Sequence, residues 1–154
     1  MTKATEVLKQ LFEDINDQGM SSLEGIYTSY YFPIHQADID LEPQEIVRNN
    51  VKDAMFLTSQ LKNNPRICFL TEVSYSVLSV TYAKRGQSLD LHVTCGSVDL
   101  VNELPEIIAA NKKSLAKYSL DCGFTPGIHY YNLIDAWVPW ESVKTMDLEK
   151  DGWN

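Results

Sequence analysis

Three aspartates and three histidines of this chain sit where proton transfer could be arranged: Asp38, Asp99 and Asp135, with His35, His92 and His129. Asp90, His92 and Thr94 share one face of an alternating stretch, opposite Leu89, Leu91 and Val93. That polar face lines either solvent or a polar cavity wall. His129, Tyr131, Leu133, Asp135 and Trp137 share parity on a second alternating stretch, and the opposite face carries Ile128, Tyr130, Asn132, Ile134 and Val138. Both faces are rich in apolar groups, so a central strand covered on both sides is predicted. A buried Asp135 then needs partners. It either couples with His92 or His129 as an acid–base pair, or serves as structural glue with a lysine or the backbone. Asp38 lies in an irregular stretch, Pro33 to Leu41, as a solvated loop carboxylate or as a group bordering a cavity. Tyr27, Tyr30 and Tyr31 read as core with their hydroxyls at a rim, and Tyr27 and Tyr31 are candidates for a pocket wall.

Other chemistries find no support. There is no H-x-H, H-E-x-x-H or C-x-x-C, so no metal site is expected, and no glycine-rich phosphate loop or nucleophile elbow implies a cofactor. His92-Val93-Thr94 is half of what a two-histidine phosphoesterase needs, and neither His35 nor His129 supplies the other half. A formal net charge of −8 disfavours nucleic acid and anionic membrane, which both require a positive surface. No apolar run approaches the ~20 residues of a membrane span, and the first residues lack the apolar core of a signal peptide. Cys68, Cys95 and Cys122 are odd in number and widely spaced, which fits reduced thiols in a cytoplasmic protein.

The elements that would position these groups form one domain over residues 1–154. Val7, Leu8, Leu11, Phe12 and Ile15 predict a helix closed by Gly19. Ser21 and Glu24 read as a capping box opening a second helix that ends at Pro33. A third helix is predicted from Pro43 to about Leu61. Two long strands follow, Ile67–Ala83 and Ser88–Val101, joined by a turn at Lys84-Arg85-Gly86-Gln87. Each changes its apolar parity, the first near Val77 and Leu78 and the second at Gly96, which calls for extra residues or a sharp twist. A fourth helix is predicted over Glu103–Leu120 with Asn102 as its cap, then a last strand over Ile128–Val138. The fold class is α+β: a curved antiparallel sheet wrapped in a cone around N-terminal helices, with an inserted helix at 103–120.

The helices spanning Val7–Phe32, the helix Glu42–Phe56, the strand pair around Val80–Val93 and the closing strand Tyr130–Trp140 together resemble the nuclear-transport-factor-2-like superfamily, which includes ketosteroid isomerase and the SnoaL-like cyclases. The inserted helix departs from that pattern. The resemblance implies an apolar pocket in the mouth of the cone, a small apolar ligand and a homodimer through the exposed sheet face. It places Asp38 at the general-base position of the isomerase branch, and Leu11, which can donate nothing, at its oxyanion tyrosine. Asp99 stands for the second acid only with a shifted register. The expected function is small-molecule binding with lyase or isomerase chemistry by Asp38, His92 and Asp135, in a pocket including Tyr27, Tyr31, His35, Asp99, His129, Tyr131 and Trp137. A non-catalytic interaction module on the same fold is the alternative, and an acidic protein acting by surface mimicry is a third.

Overall fold

The computed structural model describes residues 2–42, 67–70 and 76–145. The helix predicted from Pro43, and with it Asn63, Asn64 and Pro65, lies outside the described residues, as do Val73, Tyr75 and the tail beyond Thr145.

Helix α1, Ala4–Gln18, turns Leu8, Leu11, Phe12 and Ile15 inward as their spacing predicts. Its first turn is tied by Asp40, which accepts from the Thr5 amide at 3.0 Å and the Thr5 hydroxyl at 2.6 Å. After β1, Met20–Ser21, the chain enters β2, Gly25–His35, where a second helix was expected. Ser21, expected to form a capping box with Glu24, lies in β1 instead, and the Ser22 hydroxyl closes a turn by accepting from the Glu24 and Gly25 amides. Tyr27, Thr28, Tyr30, Tyr31 and Phe32 are aromatic and β-branched types that favour a pleated surface. Phe32 and Ile34 are buried while Tyr31, Pro33 and His35 are not, the alternation of a strand. Pro33 lies beyond the reach of two-residue β1, on an open edge where its missing N–H costs no ladder bond. A single 3₁₀ turn, Gln36–Asp38, follows.

The predicted strand Ile67–Ala83 is two strands, β3 at Ile67–Leu70 and β4 at Val77–Arg85, which pair antiparallel. A two-residue turn leads from β4 into β5, Ser88–Asp99, and Gly86 supplies the positive φ of 63° that such a turn needs. Helix α2, Leu104–Cys122, then crosses to β6, Thr125–Pro139, and stops at Gly123 in the left-handed conformation. A short helix α3, Trp140–Thr145, closes the described chain. The sheet order is β1-β2-β6-β5-β4-β3.

The α+β mixture is as predicted; the antiparallel cone is not. β5 and β6 are parallel neighbours linked by α2, so the supposed inserted helix is the crossover of a β-α-β unit. One core cluster joins the buried residues of α1 and α2 to one face of the sheet. On the other face Tyr31, Leu78 and Ile134 are more than half exposed, so β6 is central but is not covered on both sides. None of the described helices is long and apolar enough to cross a membrane.

The predicted parity changes are present and line up across the sheet. β4 pairs Val77 with Cys95 and Ser79 with Thr94, which makes Leu78 an extra residue. β2 pairs Thr28 with Ala136 and Tyr30 with Leu133, which puts an extra residue into β6 opposite Ser29. Between them β5 and β6 stay in register from Cys95 to Asp99 and turn together. Burial passes from Val93, Cys95 and Leu133 to Val98, Ala136 and Val138. The irregular backbone is satisfied locally: the Ser29 hydroxyl donates to the Ile134 carbonyl at 2.7 Å, and the Gly96 amide to the Ser76 carbonyl at 2.8 Å.

Beyond this kink Gly25 faces Pro139, and a Cβ there would overlap the Val138 carbonyl. Gly25→Ala is therefore expected to cost about 1–3 kcal/mol by forced backbone displacement. Thermal melts should show it clearly less stable than Gly86→Ala, where the added methyl meets open space and only the positive φ is strained. Equal melting points for the two variants would mean that β2 and β6 can separate freely at this end.

Candidate functional site

The polar groups predicted from the sequence are dispersed over four places. On the helix side, β6 points the His129 and Tyr131 side chains into the core, both fully buried. The turn after β2 brings Gln36 against them, and α2 brings Asn111. His129 Nε2 lies 2.6 Å from Gln36 Oε1, and His129 Nδ1 lies 3.1 Å from the Tyr131 hydroxyl. The Gln36 amide donates to the Lys112 carbonyl at 2.8 Å, which leaves its oxygen to accept. Nε2 of His129 therefore carries the proton, Nδ1 accepts from Tyr131, and the Tyr131 oxygen accepts from Asn111 Nδ2 at 3.3 Å. Burial holds His129 neutral by lowering its pKa to about 3, with the nearby His35 adding to the effect. Burial likewise pushes the Tyr131 phenol up, against the opposing hydrogen bond from Asn111.

A groove of about 380 Å³ opens beside this chain of bonds, lined by Val7, Pro33, Ile34, His35, Asp38 and Ile128 among others. Asp38 is buried and pairs with Lys3 at 3.7 Å; it is not a free loop carboxylate. His35 Nδ1 accepts from the Ala37 amide at 3.0 Å and so caps the 3₁₀ turn.

Asp99 closes the turn that leads into α2, and Asn102, expected as the helix cap, lies within that turn, Glu103 standing at the N-cap position. The Asp99 carboxylate accepts from the amides of Val101 and Asn102 and from the Asn102 side chain, while Glu103 reaches back to the Asp99 amide at 2.9 Å. The other Glu103 oxygen accepts from the buried Ser76 hydroxyl. Asp99 is thus committed to the backbone. Cys95 sits against this corner, its thiol raised to about 12 by burial and by Glu103, which leaves it inert as a nucleophile.

His92, Tyr130 and Tyr31 form a ladder on the face away from α1 and α2, His92 stacked on Tyr130 at 4.5 Å and Tyr130 on Tyr31 at 6.5 Å. Burial against this ladder, and then Arg85, lower the His92 pKa, while Asp90 opposes them. Past the kink on the same side, Asp135 accepts from Ser97 at 3.0 Å and lines a second groove with Tyr27 and Trp137. Asp38, His92 and Asp135 therefore do not converge, and Asp135 pairs with neither His92 nor His129. Gln36, Asn111, Ser76 and Glu103 were missed by the sequence reading. Gln36 and His129 are 93 residues apart, so no local spacing could have joined them.

No protein family matches the chain, and no curated protein does. Solved structures do. The thermostable thymidylate synthase A of Bacillus subtilis superposes with a TM-score of 0.75 at 13% identity, covering 93% of this chain and 82% of that one. The thymidylate synthase of T4 phage gives 0.52 at 17% identity, covering 59% of this chain and 36% of that one. At such identities the likeness shows the fold, which is that of the thymidylate synthases. It overturns the resemblance to the nuclear-transport-factor-2-like superfamily. The lyase or isomerase in a cone mouth and the interaction module on a cone fall with it. The parallel β5–β6 pair is the physical reason.

A histidine held neutral inside the protein but free to charge when unfolded makes stability depend on pH. Between about pH 6.5 and the folded value near 3, the unfolded chain binds the extra proton, so stability falls as pH falls through that window. The slope from this group approaches about 1.4 kcal/mol per pH unit. Urea unfolding from pH 7.5 to 4.5 should show that slope in the wild type and a shallower one in His129→Gln. Parallel pH profiles would refute the neutral assignment, whatever the offset between the two proteins.

Proposed function

We propose that this chain binds a pyrimidine nucleoside monophosphate at the groove between α1, the end of β2 and the start of β6. The observation that carries the reading is the extent of the likeness to thymidylate synthase A, over 93% of the chain. The groove residues are consistent with it. Beside the groove the partly buried Gln36 carries an amide, the type that reads the amide edge of a pyrimidine or a sugar hydroxyl, and the fully buried His129 and Tyr131 hold it in place from within. Pro33, Ile34, Val7 and Ile128 offer apolar walls, and the volume lies within the usual range for small-molecule sites. Lys3, whose partner Asp38 it meets at 3.7 Å, can exchange that contact for a phosphate.

Thermal denaturation with thymidylate tests this directly. A ligand at one hundred times its dissociation constant adds about 2.7 kcal/mol, some 5–10 °C for a domain of this size. Adenylate should give a much smaller shift, and Gln36→Leu should reduce the thymidylate shift by half or more. A melting point unmoved by thymidylate at roughly millimolar concentration, the upper end of ordinary enzyme affinities, would defeat the assignment.

The face of the sheet away from α1 and α2 fits a second copy of the chain. Four strands, β2, β6, β5 and β4, at ~4.8 Å spacing and about 30 Å in length present a projected area on the order of 600 Å², close to the ~800 Å² each partner contributes to a standard interface. Tyr31, Leu78 and Ile134 are exposed on it, and the Tyr31–Tyr130–His92 ladder runs across it. Sedimentation is expected to give twice the 17.5 kDa chain mass. The Leu78→Glu, Ile134→Glu double variant should sediment as the monomer, and a wild type that is monomeric at high concentration would remove the interface.

A further inference from the structure

The second groove, of about 340 Å³, lies beyond the kink on the face away from α1 and α2, at the opposite end of β2 from the proposed nucleotide groove. Tyr27 and Trp137, cross-strand partners in β2 and β6, stand in it with Asp135, Glu24, Ser22 and Ser97. Two aromatic side chains and two carboxylates thus share a small concave space. The Asp135 carboxylate is held by the Ser97 hydroxyl at 3.0 Å. Among the described residues no lysine or arginine forms an ion pair with Asp135 or Glu24. The rim is fixed from behind: Trp140 donates its indole N–H to the Ser22 carbonyl at 2.8 Å and its amide to the Glu24 carbonyl at 3.2 Å. The Ser22 hydroxyl then closes the turn onto Glu24 and Gly25.

From this geometry we propose that the groove binds a small organic cation, a primary ammonium or guanidinium carried on an alkyl stem. Aromatic faces attract such a head group through their quadrupoles, and the aliphatic stem packs on the same rings. The carboxylates supply the opposite charge, and the Ser97 hydroxyl, which donates to Asp135, has its oxygen left to accept an N–H bond. An anion would face two like charges, and a neutral apolar guest would strip water from both carboxylates without compensation. The net charge of −8 raises the local concentration of cations around the whole molecule.

Isothermal titration of the full chain with putrescine and agmatine at low salt tests the site, with 1,4-butanediol as the neutral counterpart of putrescine. At least one of the two cations is expected to bind and the diol is not. Asp135→Asn keeps an oxygen for the Ser97 hydroxyl and should weaken binding about tenfold without changing the melting point by more than a few degrees. Trp137→Leu should weaken it comparably, and Glu24→Gln, on the exposed rim, offers a second reading if Trp137→Leu does not fold. Absence of heat with both cations, equal binding of the diol, or affinities unchanged in Asp135→Asn and Glu24→Gln would each overturn the proposal; the last outcome is diffuse attraction to an acidic surface. None of these results depends on whether thymidylate binds at the far groove.

Discussion

Side chains alternate across a strand with period two, and this protein breaks that rule along a line through its sheet. Leu78 in β4 and the residues opposite Ser29 in β6 are surplus to their ladders, and β5 turns between them. The consequence is largest for β6. By strict alternation His129, Tyr131, Leu133, Asp135 and Trp137 would all point into the core. The extra residue leaves the first three inside and rotates Asp135 and Trp137 to the other side, while Ala136 and Val138 take over the buried positions. A carboxylate that would have needed a buried partner is delivered to water instead. The same rotation sets Trp137 beside Tyr27 and creates the second groove. Without it, β6 would carry an uncompensated charge into an apolar interior, at a cost of several kcal/mol.

The second organising feature is α2. Because β5 and β6 run parallel, the chain must return from one end of the sheet to the other, and α2 is that return. Its start is held by Asp99 and Glu103, which satisfy amides of the turn leading into it, and its end by Gly123. With the helix so fixed, the Asn111 side chain and the Lys112 carbonyl are set opposite Tyr131 and Gln36. The buried network is therefore a product of the crossover. It links three elements distant in sequence through neutral groups alone, which avoids the desolvation cost of burying an ion pair.

What could be read from the sequence followed from local periodicity. α1, the Gly86 turn, α2 with its Gly123 stop and β6 all show in spacing and breaker residues, and the parity changes near Leu78 and Gly96 foretold the kink. The stretch Ser21–Pro33 misled, because Leu23, Ile26, Tyr27, Tyr30 and Tyr31 satisfy a helical spacing by accident. The aromatic and β-branched content, with Pro33 late in the run, was the better guide. The error that mattered most was topological. A strand, a helix of nineteen residues and another strand is the ordinary signature of a parallel pair, and treating the helix as an insertion turned a β-α-β unit into an antiparallel cone. Side-chain partners were beyond reach altogether: nothing near Gln36 announces His129, and nothing near Asp135 announces Ser97.

The two sides of the sheet thus differ in the kind of polarity they can hold. On the helix side the network around His129 is built from uncharged groups: His129 is neutral, Tyr131 keeps its proton, and the Gln36 and Asn111 amides each donate within it. A guest that reaches this network must exchange hydrogen bonds one for one, which favours flat polar edges there, and charge is met instead by the Lys3–Asp38 pair at the groove. On the other side, past the kink, solvent reaches Asp135 and Glu24, and among the described residues no cation pairs with them. The difference comes from one inserted residue in β6. It separates, by about 25 Å along β2, a region selective for neutral hydrogen bonding from a region selective for positive charge.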